Sequence, residues 1–250
     1  MRVVKGFFMA WGNFCIIPCP YRIWDDSCRK HMLGMLPVLG LLLGTIWYGI
    51  ARLLLWLPVP QMLAAAALTV YPFYISGFMH LDGYMDCSDA IFSRASLQKK
   101  KEILKDSRVG AFAVIWLVVL FLMVFAGMQS WMASGMSHME FVIILPVLSR
   151  TTGALCILKG RHLDVSQYNN LDEGILKQTV FVISFAIISI AAAVLLTDMA
   201  LLVPSLLSLA AGSLFAIRAA KNLGGVNGDI AGYSITWAEC FAIIGAAIFF

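Results

Sequence analysis

Apolar runs of about twenty residues recur along the chain, separated by short polar stretches, the spacing expected of membrane-crossing helices. The pattern predicts spans at about 33–56, 61–79, 111–130, 139–157, 178–197 and 200–217, with a shorter last span running to Phe250. Residues 6–20 are apolar but too short to cross and end in Pro18-Cys19-Pro20, so residues 1–32 read as an interfacial or re-entrant segment. Residues 21–32 carry Arg22, Asp25, Asp26, Arg29 and Lys30 and belong in water. Leu57-Pro58-Val59-Pro60 reads as a tight turn, residues 80–110 and 158–177 as polar loops, and 218–235 as a glycine-rich loop. The expectation is an all-α polytopic transmembrane helical bundle of six to seven spans. It fills residues 1–250 as one integral membrane domain, without an internal repeat and without room for a separate soluble domain.

Composition agrees with the pattern. With 61% hydrophobic and 13% charged residues and a mean hydropathy of +0.86, the chain has about half the charge of a soluble domain. The apolar runs are also too long for barrel strands. The net charge of +4 is explained by topology rather than by nucleic acid. Lysine and arginine fall five in the N-terminal stretch, six after the second span, three after the fourth and two after the sixth, with none in the intervening short loops. That alternation puts the N-terminus and the basic loops on the cytoplasmic side of the cell membrane, with the C-terminus outside. Met1 to Lys5 before an apolar stretch imitates a signal peptide, but Pro18 and Pro20 follow without a small-residue cleavage site, so the stretch is expected to remain. The six cysteines have no metal-ligand spacing and read as reduced thiols.

Against this background one polar string is out of place. In Phe78-Met79-His80-Leu81-Asp82-Gly83-Tyr84-Met85-Asp86-Cys87-Ser88-Asp89, three aspartates stand at i, i+4 and i+7. On a helix they lie at about 0°, 40° and −20°, one narrow stripe of like charge. A divalent cation makes such a stripe tolerable, and oxygen-only ligands suit Mg²⁺ completed by water and phosphate oxygens. Gly83 in the first turn allows backbone or phosphate to approach closely. His80 reads as a general base, a ligand, a phosphate partner or an interfacial histidine. Arg94, one turn beyond Asp89, and Arg108 in Lys105-Asp106-Ser107-Arg108-Val109-Gly110 suit phosphate oxygens, with Asp106 either joining the metal or pairing with an arginine. Lys99, Lys100 and Lys101 read as a solvated face.

A second cluster, Gly224-Gly225-Val226-Asn227-Gly228-Asp229, is predicted to form a tight turn whose amides make an anion-binding nest, with Asp229 as an extra carboxylate. Arg218 and Lys221 stand nearby. Arg150 falls inside the fourth span, where a charge needs a reason. It is about 15 Å along a helix from Glu140, which makes that partner a poor one, so an interior role beside the site is expected. Glu239 reads as an interfacial or snorkelling side chain, and Asp164, Asp172 and Glu173 as solvated loop residues.

The string from Phe78 to Ala90, then Lys105 to Gly110, then Gly224 to Asp229, together with Pro18-Cys19-Pro20 and Leu36-Pro37-Val38-Leu39-Gly40, resembles the cobalamin synthase family, the adenosylcobinamide-GDP ribazoletransferases. The likeness runs in order across most of the chain. Many members have glycine where this chain has Ala90, and an arginine before Pro-x-Pro where this chain has Ile16 and Ile17. The spacing Asp86-x-x-Asp89-Ala90-x-x-Ser93-Arg94 is also similar to the metal motif of CDP-alcohol phosphatidyltransferases, which likewise exchange an alcohol for a nucleoside monophosphate at a diphosphate.

The resemblance implies an Mg²⁺-dependent transferase of cobalamin (vitamin B12) biosynthesis, in the class that moves substituted phosphate groups. Its substrates are adenosylcobinamide-GDP and α-ribazole or α-ribazole 5′-phosphate, its setting the lipid bilayer, and its by-product GMP. On that reading Asp82, Asp86, Asp89 and Asp229 hold the metal, and Arg94, Arg108, Gly224, Gly225 and Asn227 bind substrate phosphates. His80 or an aspartate takes the hydroxyl proton. The alternatives are a phosphatidyltransferase of phospholipid synthesis and a transporter, the latter expected to carry inverted repeats and midplane acids. The sequence leaves open whether the chain forms a homo-oligomer.

Overall fold

The computed structural model describes residues 1–163 and 174–250; Asp164, Asp172 and Glu173 lie outside them. The described residues form ten α-helices and no strand. In chain order these are α1 (Arg2–Phe14), α2 (Arg29–Trp56), α3 (Gln61–Ile75), α4 (Met79–Phe92), α5 (Leu97–Ile103), α6 (Ala111–Ala133), α7 (Phe141–Lys159), α8 (Ile175–Leu196), α9 (Leu202–Leu223) and α10 (Gly228–Phe249). Six stretches, built on α2, α6, α7, α8, α9 and α10, are long and apolar enough to cross a bilayer, and the bent pair α3–α4 brings the number to as many as seven. The chain is a multi-pass membrane protein of helical-bundle architecture.

α7 and α10 are the centre of the bundle, with most of their surface buried, whereas α8 is largely open to lipid. The helices approach closely through small residues, as apolar surroundings favour. A Cβ at Gly40 of α2 would stand 2.5 Å from the Pro146 carbonyl oxygen of α7, and Gly44 one turn on meets the Ile143 carbonyl in the same way. Ser234 of α10 donates to Thr152 Oγ1 of α7 and to the Gly212 carbonyl of α9, each at 3.0 Å, tying three helices at one level. Tyr71 of α3 donates to the Leu43 carbonyl of α2 at 2.7 Å.

Three boundaries differ from the sequence expectation. The interfacial helix is α1, over Arg2–Phe14, and residues 15–24 run without helix, held by the Ile16 N–H on the Ile75 carbonyl at 2.9 Å. The stretch 80–110 is not a loop: it contains α4 and α5. The glycine-rich loop shrinks to residues 224–227, because α9 continues to Leu223 and α10 starts at Gly228. In the last two cases polar residues on a helix face were read as loop, since a face that is half polar lowers hydropathy without breaking the helix.

Glu239 is also misplaced by the sequence reading. It is buried in α10, where its carboxylate accepts from the Arg150 guanidinium of α7 and from Ser149 Oγ. An interior ion pair between two helices replaces both the snorkelling glutamate and the Glu140 partner. The six cysteines are free.

Candidate active site

α3 ends at Ser76, and α4 leaves at 88° to it. The turn is made by two successive left-handed residues, Gly77 at φ 64° and Phe78 at φ 60°. Glycine takes that conformation freely, while phenylalanine does so under strain and is held by its N–H on the Phe73 carbonyl at 2.8 Å. The result is a short helix laid across the end of the bundle rather than continued along α3.

α4 divides cleanly. His80, Leu81, Gly83, Tyr84, Cys87, Ser88 and Ala90 are buried, while Asp82 is exposed and Asp86 and Asp89 are half-buried. The acids therefore share the open face, as their spacing predicts. Beneath them is an aromatic floor that the sequence reading missed. Tyr84 stacks on Tyr233 at 5.5 Å, Phe215 stacks on Trp237 at 4.2 Å, and Tyr84 donates to the Trp116 carbonyl at 3.0 Å. Rings from α6, α9 and α10 thus set the height and angle of α4.

Gly83 is where α4 crosses α10. A Cβ there would lie 2.8 Å from Asp229 Cα and 2.7 Å from its carbonyl oxygen, so of the two readings of this glycine the backbone approach is the one realised. The crossing brings a fourth carboxylate, Asp229, within electrostatic reach of Asp82 and Asp86. Burial pushes the Asp86 carboxyl up to about 7, with the charges of Asp82, Asp229 and Asp89 adding to the effect in that order. Asp89 lies against Gly110, the N-cap of α6, its carboxylate filling the space a side chain would need and facing the positive end of that helix.

The other predicted residues separate into those that join this cluster and those that do not. Arg94 follows α4 directly in a left-handed conformation at φ 54°, exposed, and makes no ion pair among the described residues. Arg108 is instead engaged by Asp106, with Nε to Oδ1 at 3.0 Å and Nη2 to Oδ2 at 2.6 Å, so Asp106 takes the arginine-pairing role. Lys99 bridges Glu102 at 3.0 Å, consistent with a solvated face.

His80 is buried against Phe14, ring centroids 6.2 Å apart, and its carbonyl accepts from Thr236 Oγ1. Burial pushes its imidazole down to about 3, and the charge that adds to this is Arg150. His80 thus faces α1 and the buried arginine, a structural position that leaves the open acid face to the carboxylates.

The glycine-rich turn is a double cap. Gly224, at φ 83°, ends α9, and the N–H groups of Gly224 and Gly225 both donate to the Ala220 carbonyl. The Val226 N–H donates to the Arg161 carbonyl, and the Asn227 side chain caps α10 by accepting from the Ile230 N–H at 3.1 Å. The amides of Gly224, Gly225 and Val226 are satisfied within the backbone and serve as caps. A C-cap and a nest use the same residues, so composition does not tell them apart. The Asn227 amide also donates to Asp229 Oδ2 at 2.6 Å, fixing that carboxylate, and Gly228 faces open space at the start of α10.

The sequence that builds this site matches a known family. The family described as cobalamin-5-phosphate synthase matches residues 6–247. The chain belongs to the cobalamin-5-phosphate synthase family. Among its relatives, an adenosylcobinamide-GDP ribazoletransferase of Clostridium perfringens (strain SM101 / Type A) is 36% identical over 245 residues, 96% of each chain. One of Clostridium botulinum (strain Alaska E43 / Type E3) is 31% identical over 99% of each chain, and one of Geobacillus kaustophilus 27% identical over 94% of this chain and 92% of that one. No solved structure matches.

The donor set can be tested against a metal. Four carboxylates from two crossing helices, with no thiol or imidazole among them, fit a hard cation. Among the described residues no three such groups close on one point, since Asp89 is drawn to the α6 N-terminus. A cation held here would therefore draw most of its shell from water and substrate phosphates, as Mg²⁺ does when it takes one or two carboxylates.

Proposed function

We propose that this chain joins adenosylcobinamide-GDP to α-ribazole or α-ribazole 5′-phosphate, releasing GMP and forming adenosylcobalamin or its 5′-phosphate in the last steps of cobalamin nucleotide-loop assembly. The observation that carries the reading is the approach of Asp82 and Asp86 of α4 to Asp229 of α10 at the Gly83 crossing, with Asp89 on the same open face beside the α6 N-terminus. Family membership and the names of the relatives supply the substrates.

The ribazole hydroxyl attacks the phosphorus that carries the corrinoid side chain. A new P–O bond forms, the bond to the bridging oxygen breaks, and GMP departs with it. Asp82, Asp86, Asp89 and Asp229 would hold Mg²⁺, which when bound neutralises diphosphate charge and aligns attack. A carboxylate of the α4 stripe accepts the hydroxyl proton, because His80 is buried away from the open face. Arg94 binds an equatorial phosphate oxygen, and the N-terminal end of α10, open at Gly228, adds the positive end of a helix dipole. The acid face looks onto the cytoplasm, where nucleotides are supplied.

The test is GMP release by membranes carrying Asp86→Asn or Asp89→Asn, given Mg²⁺ and both substrates. A fall of about a hundredfold or more is expected from the loss of a charge that acts at the reacting phosphate. Normal rates from both variants reject the reading. CDP-diacylglycerol in place of adenosylcobinamide-GDP is expected to give no product.

A further inference from the structure

The acids account for the diphosphate of the donor but not for the nucleoside attached to it. A cavity of about 600 Å³ lies between α1 and the extended 15–24 stretch, well within the size range of small-molecule sites. It adjoins the N-terminal end of α4. Ile16, on its wall, donates its N–H to the Ile75 carbonyl and packs at Gly77, and Phe14 beside it stacks on His80 of the buried face of α4, so the cavity lies around the N-terminal end of that helix from Asp82.

The lining is mixed in a way that suits a purine nucleotide rather than an acyl chain. Phe8 and Trp24 bring aromatic surface, Asn13 an amide whose nitrogen already donates to the Met9 carbonyl at 2.7 Å, and Arg22 an exposed guanidinium without an ion pair among the described residues. The 15–24 backbone lies outside any helix or strand and so has polar groups that no regular ladder consumes. The walls are also fixed in advance. Trp11 Nε1 donates to the Ile17 carbonyl at 2.9 Å, and the Cys19 thiol donates to the Phe8 and Tyr21 carbonyls. Trp24 Nε1 donates to Asp26 Oδ1 at 2.8 Å while Arg29 lies over its ring, and Lys5 bridges Asp25 at 3.0 Å.

We propose that this cavity is the guanosine subsite. It takes the guanine and ribose of the donor, with Arg22 on the phosphate next to the ribose, and keeps GMP until the new bond has formed. Guanine presents donors and acceptors along its edge and therefore needs polar partners, whereas the ribazole base presents few. The proposal rests on the transferase reading for the identity of the nucleotide.

Binding of labelled GMP to the purified full chain tests it without turnover. Gly12 lines the cavity, and a Cβ there would stand 3.8 Å from Cys19 Cβ, ordinary contact, so the backbone accepts a side chain here and Gly12→Leu takes up cavity space. Gly12→Leu is expected to abolish GMP binding. Arg22→Ala, at an exposed position that leaves folding alone, is expected to weaken GMP about tenfold and guanosine not at all. No GMP binding by the wild-type chain, or equal binding by all three proteins, overturns the assignment. If GMP binds as expected while wild-type membranes make no product from adenosylcobinamide-GDP, the transferase reading fails and the nucleotide site stands. If product forms but Gly12→Leu leaves GMP binding unchanged, the subsite fails alone.

Discussion

Asp86 shows why these acids need company of the opposite sign. A carboxyl that is half-buried beside other carboxylates resists ionisation, and the divalent cation proposed above would remove that resistance. The arrangement depends on one missing methyl group. Gly83→Ala would drive a Cβ into the Asp229 main chain and part α4 from α10, so a loss of about 1–3 kcal/mol of stability is expected, with transferase activity falling further than stability. Gly228→Ala, with nothing within 4 Å, is expected to change unfolding by less than about 0.5 kcal/mol. Thermal unfolding and GMP release of the two variants side by side check the contrast, and equal effects would remove the crossing from the argument. At this scale the aspartate stripe was legible because helical periodicity alone puts its members on one face. The role of Gly224 and Gly225 was not, because the partner of their amides, the Ala220 carbonyl, becomes available only once α9 is known to continue that far.

Among the elements, α4 carries the chemistry and the pair Arg150–Glu239 fastens the bundle behind it. The pair is buried between α7 and α10, so removing one member strands a charge, whereas removing both leaves only packing to repair. Arg150→Met or Glu239→Leu alone is expected to cost about 3–5 kcal/mol in unfolding from mixed micelles, and the double variant much less than the sum. Additive losses would show that the two side chains act separately. α1 is tied down by a weaker, solvent-facing device. Hydrogen bonds from Ser27 and then Lys5 hold Asp25 down at about 2, below its ordinary value of 3.8. A depressed carboxyl pKa stabilises the folded form above the unfolded value, and that support disappears as pH falls from about 4 through about 2. Tryptophan fluorescence of the full chain should therefore change over that window, and Asp25→Asn should remove the change. The long apolar elements could be read from the sequence, since lipid demands them. The ion pair could not be assigned, because local spacing does not say that α7 lies beside α10. Two intramembrane charges of opposite sign were the available signal.

For the whole molecule, the lysine and arginine pattern and the position of the acids make one joint statement. The stretch before α2, the α4–α5 region, the residues after α7 and the 224–227 turn meet at one end of the bundle: Phe14 stacks on His80, Lys100 donates to the Asn222 side chain, and the Val226 N–H reaches the Arg161 carbonyl. These are the basic segments, so the same rule that predicts a cytoplasmic place for them predicts it for the acid face as well, which is the orientation we propose. The opposite end, with the 57–60 turn and residues 134–140, has no lysine or arginine. A cysteine introduced at Ser107 should then react with an impermeant thiol reagent in inverted membrane vesicles, and one introduced at Ser134 in right-side-out vesicles. Both assays need the six native cysteines replaced first. Activity must follow the same polarity. Adenosylcobinamide-GDP and α-ribazole 5′-phosphate added outside sealed vesicles should yield GMP from inverted vesicles and none from right-side-out ones. Product from right-side-out vesicles, with Ser107→Cys labelled there too, would reverse the orientation and keep the site. Product from right-side-out vesicles with Ser107→Cys still hidden would separate the acids from the chemistry, because no membrane-impermeant diphosphate could then reach the α4 face.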